Sequence, residues 1–241
     1  MVLQDLFDTL ASGEFANLSL AHSVSGTIKE EAYPRIVSAA NRGLREIYKK
    51  FLLKKKKVML FQLPGVVRYY LRPEHIGVLG APAPGLYLAN HPDEEFADDI
   101  IQILRIQDVD NNEVDLNPLR TYLDQTYFKT ASFDSLDLFT TKTDQVFTIE
   151  YQAKHPKIEI TETFDPKTIP LSYPDFIEEA LALYMASLLI KGKTTKASEA
   201  EGYQTNTWYY KYQQACAELV QLGLAEETDS DYDRFYGKGF V

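Results

Sequence analysis

Four histidines, one cysteine, two acidic clusters and one basic run are the residues of this chain whose chemistry reaches beyond packing. His22, His75, His91 and His155 include no pair at metal-ligand spacing. His75, His91 and His155 stand in loops or beside prolines, where a solvated imidazole is expected. Cys216 lies between Ala215 and Ala217, and no histidine follows His155 to activate it, so a small core residue is expected. A single cysteine excludes an intramolecular disulfide and a cysteine-based zinc site. Asp108, Asp110 and Asn112 imitate the opening of a calcium-binding loop, but Glu113 stands where glycine is needed and Leu119 where the bidentate glutamate is needed. A polar hairpin turn is the competing reading. Asp93, Glu94, Glu95, Asp98 and Asp99 form either a carboxylate nest for a divalent cation or a solvated acidic stretch at a helix start. Lys54, Lys55, Lys56 and Lys57 are the DNA-proximal candidate. The same run complements a helix C-terminal dipole, and it has no interleaved aromatic residue for base stacking. Walker, Rossmann and Gly-x-Ser-x-Gly patterns are missing from the sequence. No catalytic residue, metal site or cofactor is therefore expected, and the chain reads as a protein that is not an enzyme.

The elements that would carry these residues follow from periodicity. Leu3, Leu6, Phe7 and Leu10 recur at i, i+3, i+4 and i+7 and predict a short helix. A second helix is predicted from about Lys29 to Leu53, with Pro34 tolerable only in its first turn. Strands are predicted at 58–61, 66–71, 100–109, 114–116, 127–139 and 145–153, and a long loop at 72–92. Along the last strand Phe147, Ile149, Tyr151 and Ala153 share one face. Two more helices are predicted, one after Pro174 with Ile177, Ala180, Leu181 and Tyr184 inward, and one from about Asn206 to Leu222.

The expected fold class is α+β: an α-helical bundle formed by the N- and C-terminal helix pairs (1–57 and 169–224), an inserted antiparallel β domain (58–168) and a flexible, extended C-terminal arm (225–241). The 241 residues are 45% hydrophobic and 25% charged, values of an ordinary globular chain. A formal net charge of -10 disfavours a DNA-gripping surface, because duplex affinity rests on cations that neutralise phosphates. An acidic wall suits DNA that must slide. The first residues carry acid where a signal peptide carries base, and no apolar run approaches the roughly 20 residues of a membrane span, so a soluble, cytoplasmically made protein is expected.

Two segments carry a resemblance. Tyr173-Pro174-Asp175-Phe176 and the apolar stretch to Ala186 lead a helix that Gly192 ends, followed by a polar connector with Glu201-Gly202 and then by Trp208 and Tyr210-Lys211-Tyr212-Gln213-Gln214-Ala215-Cys216. This arrangement resembles the closing helix pair of tailed-bacteriophage head-to-tail adaptors, also called connector, neck or head-completion proteins. Tyr33 to Phe51 is similar to the long helix that precedes the β section in neck proteins. The resemblance implies a structural virion protein of the neck, assembled in the host cytoplasm. It implies a ring, a dodecamer, of copies of this chain beneath the portal protein, with tail or nozzle proteins below and DNA passing through without sequence-specific binding. The 16 tyrosines and 13 phenylalanines suit such interfaces or an ordinary core. The net charge predicts a neutral or acidic channel wall. In the acidic C-terminal arm, Tyr232, Phe235, Tyr236 and Phe240 are the expected anchors to the portal or a neighbouring subunit. The alternatives are a tail-completion or tail-terminator virion protein and a non-viral cytoplasmic module that binds a peptide or sugar.

Overall fold

A computed structural model describes residues 1–12, 20, 26–78, 84–92, 94–121, 124–191 and 199–224, the side chains of 190–191 and 199–206 excepted. The chain divides into two compact units, one made of Met1–Leu53 with the chain from His155 through the last helix, the other of Lys54–Lys154.

In the first unit, α1 (Leu3–Ala11) buries Leu3, Leu6, Phe7 and Leu10, the four positions of its apolar stripe. The Asp5 carboxylate accepts the Val2 N–H at 2.8 Å, so an otherwise orphaned donor at the helix start is satisfied. Helix α2 (Tyr33–Lys50) starts with Pro34 in its first turn and buries Ile36, Ala40, Leu44, Ile47 and Tyr48. Lys49 and Lys50 occupy its last turn. They meet the C-terminal dipole, a role the sequence offered to Lys54–Lys57.

Helix α3 (Glu178–Lys191) touches α1, α2 and α4 (Glu199–Gln221). Its buried residues include Ala180, Leu181, Ala182, Leu183, Met185 and Ala186, which lie all around the axis. A helix enclosed on several sides needs no polar face, so a single inward stripe underdescribes it. Gly43 of α2 makes the α2–α3 approach possible: a Cβ there would stand 2.6 Å from Leu181 Cδ1 and 3.3 Å from the Tyr184 ring.

Two buried phenols beside α2 behave differently. Tyr48 is fully buried and donates its hydroxyl to the Ser172 carbonyl. Burial pushes its pKa up to about 12. The Tyr173 hydroxyl is buried and has no hydrogen-bond partner among the described residues. A made hydrogen bond contributes about 1 kcal/mol net, whereas an unmade buried one costs about 1–3 kcal/mol. Tyr48→Phe is therefore expected to lose about 1 kcal/mol in urea unfolding, and Tyr173→Phe to be neutral or stabilising. A larger loss for Tyr173→Phe than for Tyr48→Phe would contradict this assignment.

The second unit is one eight-stranded sheet. Its strands are β1 (Lys55–Phe61), β2 (Arg68–Tyr70), β3 (Leu88–Asn90), β4 (Ile100–Gln107), β5 (Glu113–Leu116), β6 (Tyr127–Ser132), β7 (Ser135–Phe139) and β8 (Val146–Ala153). Their order is β2-β7-β6-β5-β4-β8-β1-β3. The pair β5–β6 is parallel, with Asp115 opposite Tyr127, and the other pairs are antiparallel. Register shifts in β4–β8 and β6–β7 bend the sheet into a curled half-barrel. The concave core includes Val58, Leu60, Tyr69, Phe128, Phe147 and Ile149.

The expected architecture is corrected here. A helical bundle with an inserted antiparallel β domain is overturned by a protein that the curled, mixed eight-stranded sheet dominates, with four α-helices among the described residues. Local pattern could not reveal this. Strands β2 and β3 are three residues long, too short for an alternation of their own. The stretch expected as a loop at 72–92 contains β3, and Ile76 bridges to Leu88 in parallel. The parallel step depends on Asn117, whose left-handed backbone (φ 53°) turns the chain. Its side chain then accepts the Thr130 N–H at 2.8 Å and donates to Thr130 Oγ1 at 3.0 Å. The expected arm at 225–241 lies outside the described residues.

Candidate interaction surfaces

Strand alternation splits the lysine run. Lys56 points with Val58 and Leu60, while Lys55 and Lys57 take the opposite side of β1, so the residues do not make one basic patch. Lys56 Nζ stands 2.8 Å from Asp99 Oδ2 with both side chains largely buried, and donates to the Glu95 carbonyl at 2.9 Å. Asp99 Oδ1 also accepts the Tyr151 hydroxyl at 3.0 Å. Burial, reinforced by the Asp99 charge, raises the Tyr151 pKa. Asp99 is thereby drawn from the acidic cluster into a structural network. Asp93 lies outside the described residues.

The Asp108 stretch is the polar turn of the β4–β5 hairpin. Asp108 Oδ1 accepts the N–H groups of Asp110 and Asn112, each at 2.9 Å. Bonding from the Asn112 side chain, first of all, holds the Asp108 carboxyl below its ordinary pKa. The carboxylate oxygens that a cation would need are occupied by the turn.

His155 is held from both ring nitrogens: Nε2 accepts the Ser172 N–H at 3.2 Å and Nδ1 lies 2.6 Å from the Pro156 carbonyl. The neutral tautomer protonated on Nδ1 satisfies both contacts. His75 stacks on Tyr87 at 4.7 Å, with Nδ1 2.9 Å from the Gly85 carbonyl. His22 lies outside the described residues. Among the described residues no group of three His, Cys, Asp or Glu side chains is placed to hold a metal ion. Cys216 is fully buried in α4. Tyr232, Phe235, Tyr236 and Phe240 lie outside the described residues. No helix among the described residues is long and apolar enough to cross a membrane.

Three surfaces present exposed aromatic or cationic side chains. On α4, Tyr212, Cys216 and Leu219 face inward. Tyr209, Tyr210 and Val220 are 45%, 59% and 37% exposed, Tyr209 and Val220 at the edge of that buried face and Tyr210 about 100° further round the helix. Tyr209 and Tyr212 sit 5.7 Å apart, and Tyr212 lies edge-on to Tyr184 at 5.0 Å, so the Tyr209 ring rests on an aromatic cluster around the buried Tyr212.

At the β2 end of the sheet, Tyr127 and Phe139 stack at 4.9 Å across β6 and β7, with Lys129 over both rings. Beside them Arg68 forks onto Asp137 at 2.8 and 3.0 Å, and Arg72 holds Asp134. The Arg68 contact holds the Asp137 carboxyl below its ordinary pKa, and for Asp134 the Ser132 hydroxyl acts first and Arg72 next. These cations are matched by carboxylates.

The third surface is a groove of about 580 Å³ between α2 and the extended chain at 157–160, with Arg42 and Arg45 on one wall and Lys157 on the other. Sequence reading missed it. The i, i+3 spacing of Arg42 and Arg45 on a helix was available as a signal, whereas Lys157 joins them only through the fold. Compared with protein-family models and with curated proteins, the chain matches none.

Proposed function

We propose that this chain is a structural, ring-forming virion protein: a head-to-tail adaptor that sits beneath a phage portal, joins capsid to tail and encloses the DNA channel. The observation that carries the reading is the exposed tyrosine pair of α4. Tyr209 and Tyr210 are 45% and 59% exposed on successive positions of a helix, in the helix pair on which the adaptor resemblance rests. Tyrosines offer broad contact area with a polar tip, the composition of subunit interfaces. A ring requires heterologous contacts, in which such exposed tyrosines meet a different surface of the next copy. On this reading the portal protein, copies of this chain and tail or nozzle proteins are the partners, DNA passes without sequence-specific binding, and no catalysis is involved.

The test is the mass of the purified full chain by light scattering, alone and mixed with portal rings, with negative-stain images of the mixture. A dodecameric ring on the portal is expected, and Tyr210→Glu should prevent it while leaving thermal unfolding unchanged. A chain that stays monomeric with portal present overturns the adaptor reading. A free-standing ring that caps tail tubes would support the tail-terminator alternative in its place.

A further inference from the structure

Helix α2 carries five cations, Arg35, Arg42, Arg45, Lys49 and Lys50, against one acid, Glu46, in a chain whose net charge is -10. Of the seven arginines among the described residues, four are satisfied internally, and Arg120 stands exposed on the β unit. Arg35 donates to the Leu189 carbonyl, Arg68 to Asp137, Arg72 to Asp134 and Arg105 to Glu150. Arg42 and Arg45 are exposed and hold neither a hydrogen bond nor an ion pair among the described residues.

Both line the groove described above, whose opposite wall is fixed in place. The Asn41 amide donates to the Ile158 carbonyl and accepts the Ile158 N–H, each at 2.8 Å, so the 157–160 segment is bound to the helix as one strand binds another. Ile158 is buried, while Lys157 faces solvent beside Glu159 at 3.2 Å, an exposed pair of little strength. The groove is thus a preformed cleft between a helix and a pinned strand, with two free guanidinium forks one turn apart.

We infer that this groove is a phosphate-binding track for duplex DNA, with Arg42 and Arg45 as its phosphate ligands. A guanidinium presents a rigid fork that matches two phosphate oxygens, stays charged at any physiological pH and is less tightly hydrated than an ammonium. Residues three apart on a helix set their Cβ atoms roughly 5–6 Å apart, so two forks engage neighbouring anions better than one small ion. The choice of DNA as the polyanion rests on the adaptor reading; the anion site itself does not. Two phosphate ligands on an otherwise acidic subunit give a contact that is made and broken easily, as a sliding strand requires.

Fluorescence anisotropy of a labelled duplex with the full chain, between about 50 and 200 mM salt, tests this. Wild type is expected to bind weakly, with affinity falling as salt rises. Arg42→Ala with Arg45→Ala should bind at least about tenfold more weakly at the low-salt end and lower the log–log salt slope by about 2, since each neutralised phosphate contributes roughly 0.9. Thermal unfolding should not change, because both side chains are exposed. Arg42→Lys, which keeps the charge and loses the fork, should fall between the two. Equal binding by wild type and the double variant, or no binding by wild type, overturns the inference. So does tighter binding of a polyglutamate peptide than of the duplex, which would make the groove a site for an acidic protein. Portal mixing separates the two claims: a double variant that still rings the portal but has lost the duplex supports both. Failure of both proteins to ring the portal, with duplex binding as expected, overturns only the adaptor reading.

Discussion

Lys56→Ala is expected to destabilise the β unit by about 2–3 kcal/mol, far more than alanine at any other member of the lysine run. The Lys56 and Asp99 side chains are 11% and 16% exposed and meet at 2.8 Å. Removing one partner of a buried pair costs roughly 3–5 kcal/mol, chiefly because the other charge is left without compensation. The residual exposure of both groups reduces that figure. Asp99 would keep the Tyr151 hydroxyl, one neutral donor in place of an ammonium. Lys55→Ala, at an exposed strand position, should stay within about 0.5 kcal/mol. The triple change Lys56→Met, Asp99→Leu and Tyr151→Phe should recover most of the loss, because it removes both charges together with the hydroxyl that Asp99 accepts. Urea unfolding of the full chain, with the slope checked for constancy, measures all three. Equal stabilities for Lys56→Ala and Lys55→Ala would sink the network. The same comparison bears on the DNA-proximal candidate, since a lysine fixed under a carboxylate is not available to phosphate.

Gly43→Val should cost about 3 kcal/mol, and Gly43→Ala about 1 kcal/mol. A new Cβ would lie 2.6 Å from Leu181 Cδ1, 3.3 Å from Tyr184 Cδ1 and 3.6 Å from Met185 Cγ. Alanine regains roughly 0.8–1 kcal/mol of helix propensity, which partly offsets the displacement of Leu181. Valine adds two methyl groups and a stiff side chain to a site with no room, and overpacking costs typically 1–3 kcal/mol. Leu181 and Met185 are fully buried, and α3 is packed on several sides, so it cannot simply back away. Leu181→Ala in the Gly43→Val background should therefore cost less than Leu181→Ala alone, with a coupling of about 1 kcal/mol or more. Additive costs would show that α2 and α3 are not in close contact at this glycine.

The sequence by itself determined the pieces whose signal is local. Leu3, Leu6, Phe7 and Leu10 named the buried face of α1, and Pro34 marked the first turn of α2. Phe147, Ile149, Tyr151 and Ala153 named the core face of β8. Asp108 to Asn112 read as a polar turn because the calcium pattern broke at Glu113, and its side chains do bond within the turn. Each of these depends on neighbours within a few residues, which periodicity and turn chemistry record directly.

Tertiary structure alone decided the sheet. The parallel pairing of β5 with β6, the three-residue strands β2 and β3, and the crossing of β8 between β4 and β1 depend on partners distant in the chain. So does the fate of individual charges. Lys56 and Asp99 are 43 positions apart and cancel each other, while Lys157 reaches the Arg42 and Arg45 groove from across a whole inserted unit. A lysine in a run of four looks the same in sequence whether it faces water or a carboxylate. What separates the two is which strand lies beside it, and that is fixed by long-range backbone pairing and by the burial of a shared core.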